Sequence, residues 1–197
     1  MDVIEYEAFL AAEFGRLDAP AAMAFALCCA DRLRRELVRS TVHSEMAELL
    51  TACSKSSWNV LAGGAAIDSA ALQADIVELI PDEDDIVSFD DAVAHFAGLS
   101  MAYAVRCVPQ EDFVQNLIWA ARGPSDCVDN YAARFVNETS VTPAVEAHIA
   151  THEAVRREAS RQQRDLRICV DNQRDRDAML RLLRAANDGE SVLGGFE

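Results

Sequence analysis

The chain has 197 residues, of which 51% are hydrophobic, and its formal net charge is −15. This apolar content excludes an intrinsically disordered chain, and a domain of this length buries enough surface to form a core without a metal or a disulfide. Residues 1–152 carry 9 Lys or Arg against 24 Asp or Glu, whereas residues 153–197 carry 9 of each. An acidic surface repels phosphate groups, so we expect neither a nucleic-acid partner nor binding to anionic lipid.

The six cysteines indicate a reducing environment. They form no C-x-x-C pair, and the acidic, amphipathic start of the chain, MDVIEYEAFLAAEF, lacks the basic and apolar regions of a secretory signal. No stretch of 18 apolar residues is present, so no membrane-spanning helix is predicted. We therefore expect a cytoplasmic protein whose thiols are buried and act as small hydrophobic groups.

Abundant alanine and the helical spacing of apolar residues predict an all-α fold. We expect a single domain over residues 1–197, a bundle of about seven to eight helices with a long C-terminal helix. The first predicted helix covers residues 2–14 and ends at Gly15. The second begins after Asp18 and is apolar on all sides over residues 20–30, which predicts a central position, while its second half is amphipathic and basic.

The middle of the chain predicts two more helices, an acidic loop and a second buried helix. One helix contains MAELLTACSKSSWNVL and is closed by the glycines at 63–64, and the next, DSAALQADIVELI, stops before Pro81. The following stretch, PDEDDIVSFDD, is the most acidic in the chain. Ser88 and Asp91 then form a capping-box pattern that introduces a helix with little charge, which predicts a buried segment over residues 92–105.

Three helices are predicted in the last part of the chain. Pro109 is expected to open a helix that the Gly-Pro pair at 123–124 breaks, with a further helix starting at the proline. The Thr-Pro pair at 142–143 predicts the start of a long terminal helix, with a kink within it, over residues 143–187. Gly189 is expected to end this helix.

The terminal helix carries nine arginines between residues 156 and 184, with acidic residues interleaved. Opposite charges one turn apart, such as Glu153 and Arg157, favour an exposed helix with a salt-bridged face. The alternative is an arginine face that docks on the acidic part of this domain or of another copy.

Candidate metal ligands are few. His148 and His152 are four residues apart, so they would share one face of the terminal helix, which is half of a helical metal site. The H-E-x-x-H and Glu-x-x-His patterns of zinc proteases and di-iron bundles are absent. The acidic run at 82–85 fails the calcium-loop pattern, because the positions that require Gly and Glu are Val87 and Val93. We therefore expect no metal and no cofactor.

Catalytic patterns are also missing. The sequence contains no G-x-S-x-G, P-loop or G-x-G-x-x-G motif. Cys28 and Cys29 belong to no nucleophile motif, and Trp58 and Trp119 lie among apolar neighbours, as packing residues do. The sequence therefore favours a non-enzymatic role.

Three segments resemble the bacterial YjaG-like family, also called domain of unknown function 416. The first, RLDAPAAMAFALCCADRLRRE, leads from an Arg-Leu pair into an apolar helix. The second, ELIPDEDDIVSFDDAVAHFAGLSMAYAVRCV, places an Ile-Pro acidic loop before a helix. The third joins TPAVEAHIATHEAVRREA to the terminal LRAANDGESVLGGFE. The order and spacing of the segments cover nearly the whole chain, and the resemblance implies an all-helical domain but no activity.

The charge pattern favours a protein-binding module that recognises a basic protein partner through its acidic surface. An immunity protein, the inhibitor of a basic toxin or nuclease, is a concrete form of this hypothesis. The candidate binding residues are Asp82, Glu83, Asp84 and Asp85. The two alternatives are an enzyme or metal protein that uses scattered His and carboxylates, and a structural homodimer that buries Trp58 or Trp119.

Overall fold

The computed structural model describes residues 3–107, 113–136, 140 and 142–194. Within these ranges the chain forms nine α-helices and one 3-10 turn and contains no strand, which confirms the all-α prediction. The helices are α1 (Val3–Phe14), α2 (Ala19–Leu37), α3 (Ser44–Leu61), α4 (Ser69–Leu79), α5 (Phe89–Ala104), α6 (Phe113–Ala133), α7 (Pro143–Thr151), α8 (Glu153–Asn172) and α9 (Arg176–Asn187), with the 3-10 turn at Glu83–Asp85. The predicted helix start at Pro109 lies outside the described residues.

The helix α2 lies at the centre of the fold, as its sequence predicts. The carboxylate of Asp18 caps it by accepting a hydrogen bond from the backbone N–H of Ala21 at 2.9 Å. Every residue from Ala21 to Leu33 is buried, because α3, α5, α6, α8 and α9 pack around this helix. The second buried helix predicted over residues 92–105 is α5, which packs against α2 and α6. Both helices contribute to one apolar cluster that extends from α1 to the C-terminal segment.

The start of α5 is fixed by the capping box predicted at Ser88 and Asp91. The Ser88 hydroxyl accepts the backbone N–H of Asp91 at 3.1 Å, and the Asp91 carboxylate accepts the backbone N–H of Ser88 at 2.9 Å. Two of the helix's unpaired N–H groups are satisfied in this way, so the helix begins at a defined residue.

The predicted break at Gly123-Pro124 is wrong, because α6 continues through both residues. A proline has no N–H, so the carbonyl of Ala120 loses its helical hydrogen bond. The buried hydroxyl of Ser100 on α5 donates to that carbonyl at 2.7 Å and replaces the lost bond. Gly123 permits this contact, since a Cβ at its position would lie 2.8 Å from the Cβ of Ser100. A neighbouring helix therefore compensates for the proline.

The single kinked helix predicted over residues 143–187 is instead three helices, α7, α8 and α9. The first break is at His152, whose backbone is extended (φ −63°, ψ 139°) and whose Nδ1 accepts the N–H of Ala154 at 3.2 Å. The second follows Gln173, whose side-chain amide bonds the backbone of the loop before α2. Asp175 then caps α9. Neither break contains Gly or Pro, so side-chain capping and tertiary contacts end these helices.

All six cysteines are free and buried, which confirms the expectation of buried thiols. Among the helices in the described ranges, none combines the length and the apolar character that a bilayer crossing requires.

Replacement of Ser100 by alanine tests the compensation of Pro124. We expect Ser100→Ala to lower the free energy of unfolding by about 1–2 kcal/mol, because the buried carbonyl of Ala120 loses its hydroxyl donor. In a Pro124→Ala background the helical N–H is restored, so the same change should cost less than about half as much. Urea denaturation of the four proteins measures both costs, and equal costs in the two backgrounds would contradict the proposed role.

Candidate functional site

A buried charge cluster joins α2, α8 and the end of α9. The side chain of Arg32 on α2 is 0% exposed. Its guanidinium donates hydrogen bonds to Glu158 at 2.7 Å, to Asp165 at 2.6 Å and to the side-chain oxygen of Asn187 at 2.8 Å. Residues from distant parts of the chain thus converge on one buried cation.

Two further arginines extend the cluster toward solvent. Arg161 lies 3.2 Å from Glu190 and 3.9 Å from Glu158, and Arg164 lies 3.0 Å from Asp165 and 3.2 Å from Glu190. Three cations therefore face three anions, so the cluster is formally neutral. We call these residues the arginine network: Arg32, Arg161, Arg164, Glu158, Asp165 and Glu190.

The prediction of a solvated terminal segment holds for six of its nine arginines, which are exposed, but not for the arginine network, in which Arg161 is buried. The buried residues of α8 follow helical spacing and are Ala154, Glu158, Arg161, Gln162, Asp165, Leu166 and Cys169. Two acidic side chains therefore lie in the apolar stripe of this helix. The alternative, an arginine face docked on the acidic part of the domain, does not describe Arg161 and Arg164 either, because their partners Glu158, Asp165 and Glu190 lie in the last quarter of the chain. Arg32 was missed because it lies in the second half of α2, whose sequence is amphipathic and basic; its position one turn after Cys28 in the apolar half was the signal for burial.

Burial and charge together determine the chemistry of this cluster. Burial alone lowers the pKa of Arg32, but the carboxylates of Glu158 and Asp165 raise it well above its usual value, so the guanidinium stays charged. Burial also raises the pKa of the thiols of Cys28 and Cys29 well above the usual value. A thiol is nucleophilic as the thiolate, so neither cysteine is poised for attack at neutral pH. The arrangement suits a structural role.

The two candidate metal ligands, His148 and His152, do not share a helix face. His148 is exposed on α7, whereas His152 lies at the break between α7 and α8, where its ring stacks on Phe135 at a centroid distance of 5.6 Å. The predicted shared face is wrong because the backbone of His152 is not helical. In the part of the chain that the structure describes, no group of three or more His, Cys, Asp or Glu side chains could hold a metal ion.

One cluster has the three residue types of a catalytic triad, but a different group lies in the middle. It consists of Ser88, Asp91 and His43. Asp91 hydrogen-bonds His43 Nε2 at 2.9 Å through Oδ1 and accepts the Ser88 hydroxyl at 2.7 Å through Oδ2. The bonds from Ser88 and His43 lower the pKa of Asp91 to about 2. In a catalytic triad the imidazole lies between the other two groups and takes the serine proton. Here the carboxylate lies between them, so Ser88 caps α5 without being activated.

The acidic run after α4 is an exposed turn. Residues 82–85 are all exposed, and His95 anchors the turn, since its Nδ1 hydrogen-bonds the carbonyl of Pro81 at 2.9 Å. Five more exposed acids lie in the two preceding helices. Two are on α3, one caps α4 and two are within α4. We call the nine residues the acidic face: Glu45, Glu48, Asp68, Asp75, Glu78, Asp82, Glu83, Asp84 and Asp85. Within the described residues, none of the nine pairs with a Lys or an Arg.

A shallow cavity of about 410 Å³ lies between α1 and α8. Its lining mixes charges of both signs with apolar groups, and the guanidinium of Arg16 is held by Glu13 at 2.7 Å. This arrangement lacks the few converging polar groups on an apolar wall that characterise a small-molecule site.

The fold is similar to a solved structure. No protein-family model matches the sequence, and no curated protein matches it. A crystal structure of a DUF416 family protein from Shewanella baltica OS155 matches with a TM-score of 0.77 and 18% identity, covering 92% of this chain and 96% of that chain. At this identity the likeness shows a shared fold. The sequence resemblance to domain of unknown function 416 is thus confirmed at the level of the fold.

Removal of the central cation tests the arginine network. We expect Arg32→Met to lower the free energy of unfolding by about 3–5 kcal/mol, because Glu158 and Asp165 would remain buried without a partner. The matched control is Arg39→Met, since Arg39 directly follows the same helix, its side chain is 53% exposed, and its loss should cost less than about 1 kcal/mol. Chemical denaturation compares the two variants, and similar costs would contradict the central role of Arg32.

The carboxyl of Asp129 on α6 predicts a pH dependence of stability. Burial and the nearby Asp126 raise its pKa to about 6, above the unfolded value of about 3.9. The native protein therefore binds the extra proton between these values, and stability falls as pH rises through this interval. We expect Asp129→Asn to stabilise the protein by about 1–2 kcal/mol at pH 7.5, allowing for partial exposure, and to give no gain near pH 4. Urea denaturation at both pH values measures the difference, and a gain independent of pH would refute the assignment.

Proposed function

We propose that this chain is a non-enzymatic protein-binding domain whose acidic face docks on a basic surface of another protein. The observation that carries the proposal is the separation of charges in the fold. The nine acids of the acidic face are exposed and, within the described residues, unpaired with Lys or Arg, whereas arginines of α2 and α8 are engaged by internal partners.

The acidic face lies in a part of the chain that is nearly free of basic residues. Lys55 is the one Lys or Arg between Arg39 and Arg106. Little positive charge from this segment therefore interrupts the acids of α4 and the 3-10 turn, while Arg34 and Arg184 from other helices contact α3 at Thr51 and Trp58. A single-sign field of this kind accelerates association with an oppositely charged partner.

Apolar side chains beside the acids provide contact area for such a partner. Val77 on α4 is 53% exposed, and Val87 after the 3-10 turn is 91% exposed. In protein interfaces charge steers the encounter, while desolvated apolar contacts contribute much of the affinity. The two valines are therefore candidate contact residues within the acidic face.

The turn that presents residues 82–85 is held in one conformation before a partner binds. Asp82 caps the 3-10 turn, His95 bonds the carbonyl of Pro81, and the capping box fixes the helix that follows. Preorganisation lowers the entropy lost on binding. An inhibitor of a basic toxin or nuclease requires a rigid anionic surface of this kind, and we propose an immunity role as the specific form of the function.

The two other hypotheses receive less support. In the described residues, no group of three or more His, Cys, Asp or Glu side chains could hold a metal ion, and the six cysteines are buried. For a homodimer, Trp58 is already engaged, because its Nε1 donates to Asp31 at 2.7 Å. Trp119 is 39% exposed but is covered in part by Tyr103, which stacks on it, and by Arg122.

Neutralisation of the acidic face tests the proposed function. Immobilised wild-type protein is expected to retain a basic protein from a lysate of the source organism at low salt and to lose it as salt increases. We expect a four-fold neutralised variant to bind that partner at least about tenfold more weakly by calorimetry, since the attraction is electrostatic. Its substitutions are Glu78→Gln, Glu83→Gln, Asp84→Asn and Asp85→Asn.

A matched control removes the same charge elsewhere. Its four substitutions of exposed acids are Glu146→Gln, Asp171→Asn, Asp177→Asn and Asp188→Asn. This control should retain wild-type affinity. Equal loss of binding in both variants would show that net charge alone matters, and retention of the partner by the first variant would refute the acidic face as the docking surface.

A further inference from the structure

The chain after α9 forms a non-helical strap across two helices. Gly189, with φ +68°, turns the chain away from α9 in the left-handed conformation that favours glycine. Ser191, Val192 and Leu193 are then buried against α2 and α8. We call residues 188–194 the C-terminal strap and the channel between α2 and α8 that receives it the strap groove.

Arginines of the strap groove hold the strap by its backbone. Five carbonyls, from the last residue of α9 to the end of the strap, accept hydrogen bonds from three guanidinium groups. The pairs are Arg35 with Asn187 and Glu190, Arg161 with Ser191, and Arg157 with Val192 and Gly194. Carbonyl oxygens are common to all residues, so these bonds recognise the main chain of the strap and not a particular side chain.

The amide groups of the strap are recognised as well. The N–H of Val192 donates to the backbone carbonyl of Arg32 at 3.1 Å, and the N–H of Leu193 donates to the Glu36 carboxylate at 3.3 Å. From Ser191 to Gly194, donors and acceptors on the groove thus alternate along the backbone of the strap. The two buried aliphatic side chains supply the apolar part of the contact.

One side chain of the strap suits the strap groove poorly. The hydroxyl of Ser191 is buried and has no hydrogen-bond partner in the described residues. A buried hydroxyl without a partner weakens the association of its segment with the protein. A ligand without this hydroxyl should therefore bind the same groove more tightly than the strap itself.

We infer that the strap groove is a peptide-binding groove occupied in cis by the strap, and that the strap of a second copy of this chain can replace it. The strap is the peptide whose complementarity the structure shows, so a second copy supplies a ligand of the required chemistry. Gly189 provides the hinge for release. This proposal uses a surface separate from the acidic face, so its outcome is independent of the proposed function.

A labelled peptide of residues 188–197 tests the exchange. In the wild-type protein the tethered strap competes at an effective concentration of the order of millimolar, so the peptide should bind weakly. Val192→Ser with Leu193→Ser in the protein removes the apolar contacts of the tethered strap and leaves the groove intact. Fluorescence anisotropy should then show binding at least about tenfold tighter than to wild type. A peptide carrying Ser191→Ala should bind about fivefold tighter still.

Matched groove variants distinguish the strap groove from other surfaces. Added to the strap variant, Arg157→Gln should weaken peptide binding at least about tenfold, because the carbonyls lose a charged donor. Arg167→Gln, an exposed arginine on the same helix, should leave it unchanged. Equal peptide affinity for wild type and strap variant, or an equal effect of both arginine changes, would overturn the proposal.

Hydrogen exchange of the wild-type protein provides a test that does not depend on folding of the variants. If the strap leaves its groove by local opening, the amides of Val192 and Leu193 should exchange at least about a hundredfold faster than the core amides of α2. Exchange at the rate of the core would show that the strap opens only on global unfolding, and the proposal would be rejected.

Discussion

The buried guanidinium of Arg32 imposes a constraint on the helices around it. A cation removed from water needs anions within hydrogen-bond distance, or its desolvation outweighs the gain from packing. Glu158 and Asp165 meet this requirement two turns apart on one face of α8, which fixes the rotation and the height of that helix against α2. Asn187 bonds both Arg32 and Asp165, so the end of α9 is fixed by the same centre. Because the strap begins directly after Asn187, the same centre fixes the position of its first residue.

Sequence patterns predicted elements whose ends depend on local chemistry. The caps at Asp18 and Ser88 and the turn at Gly189 are local, and each lies where the sequence places it. Errors arose where a distant residue alters a local rule. Pro124 continues a helix because a hydroxyl from α5 replaces its hydrogen bond, and His152 ends one because its side chain caps the next. For Pro124 the compensating donor is Ser100 on another helix, so no local window of sequence reveals it. The cap made by His152 is local, to Ala154, but its ring also stacks on the distant Phe135, and helical periodicity alone reveals neither contact.

The candidate surfaces also differ in how far the sequence predicts them. A run of acidic residues predicts an exposed segment, and the acidic turn at 82–85 was predicted because its neighbours along the chain are also acidic. Arg161 and Arg164 of α8 were misassigned, since an amphipathic charged helix has the same spacing whether its charges meet water or buried partners. Burial of Glu158 could be recognised only from its position in the apolar stripe together with an unpaired cation on α2. The strap groove requires three segments to be assembled and has no sequence pattern of its own.

The separation of Arg32 from its partners along the chain has a consequence for synthesis on the ribosome. Glu158, Asp165 and Asn187 follow Arg32 by 126, 133 and 155 residues. The most buried helix therefore leaves the exit tunnel long before the groups that neutralise its charge have been made. Until then its apolar faces have only part of their cover. Completion of the core therefore waits for the synthesis of α8 and α9, and the order of synthesis makes the charged centre one of the last parts of the fold to assemble.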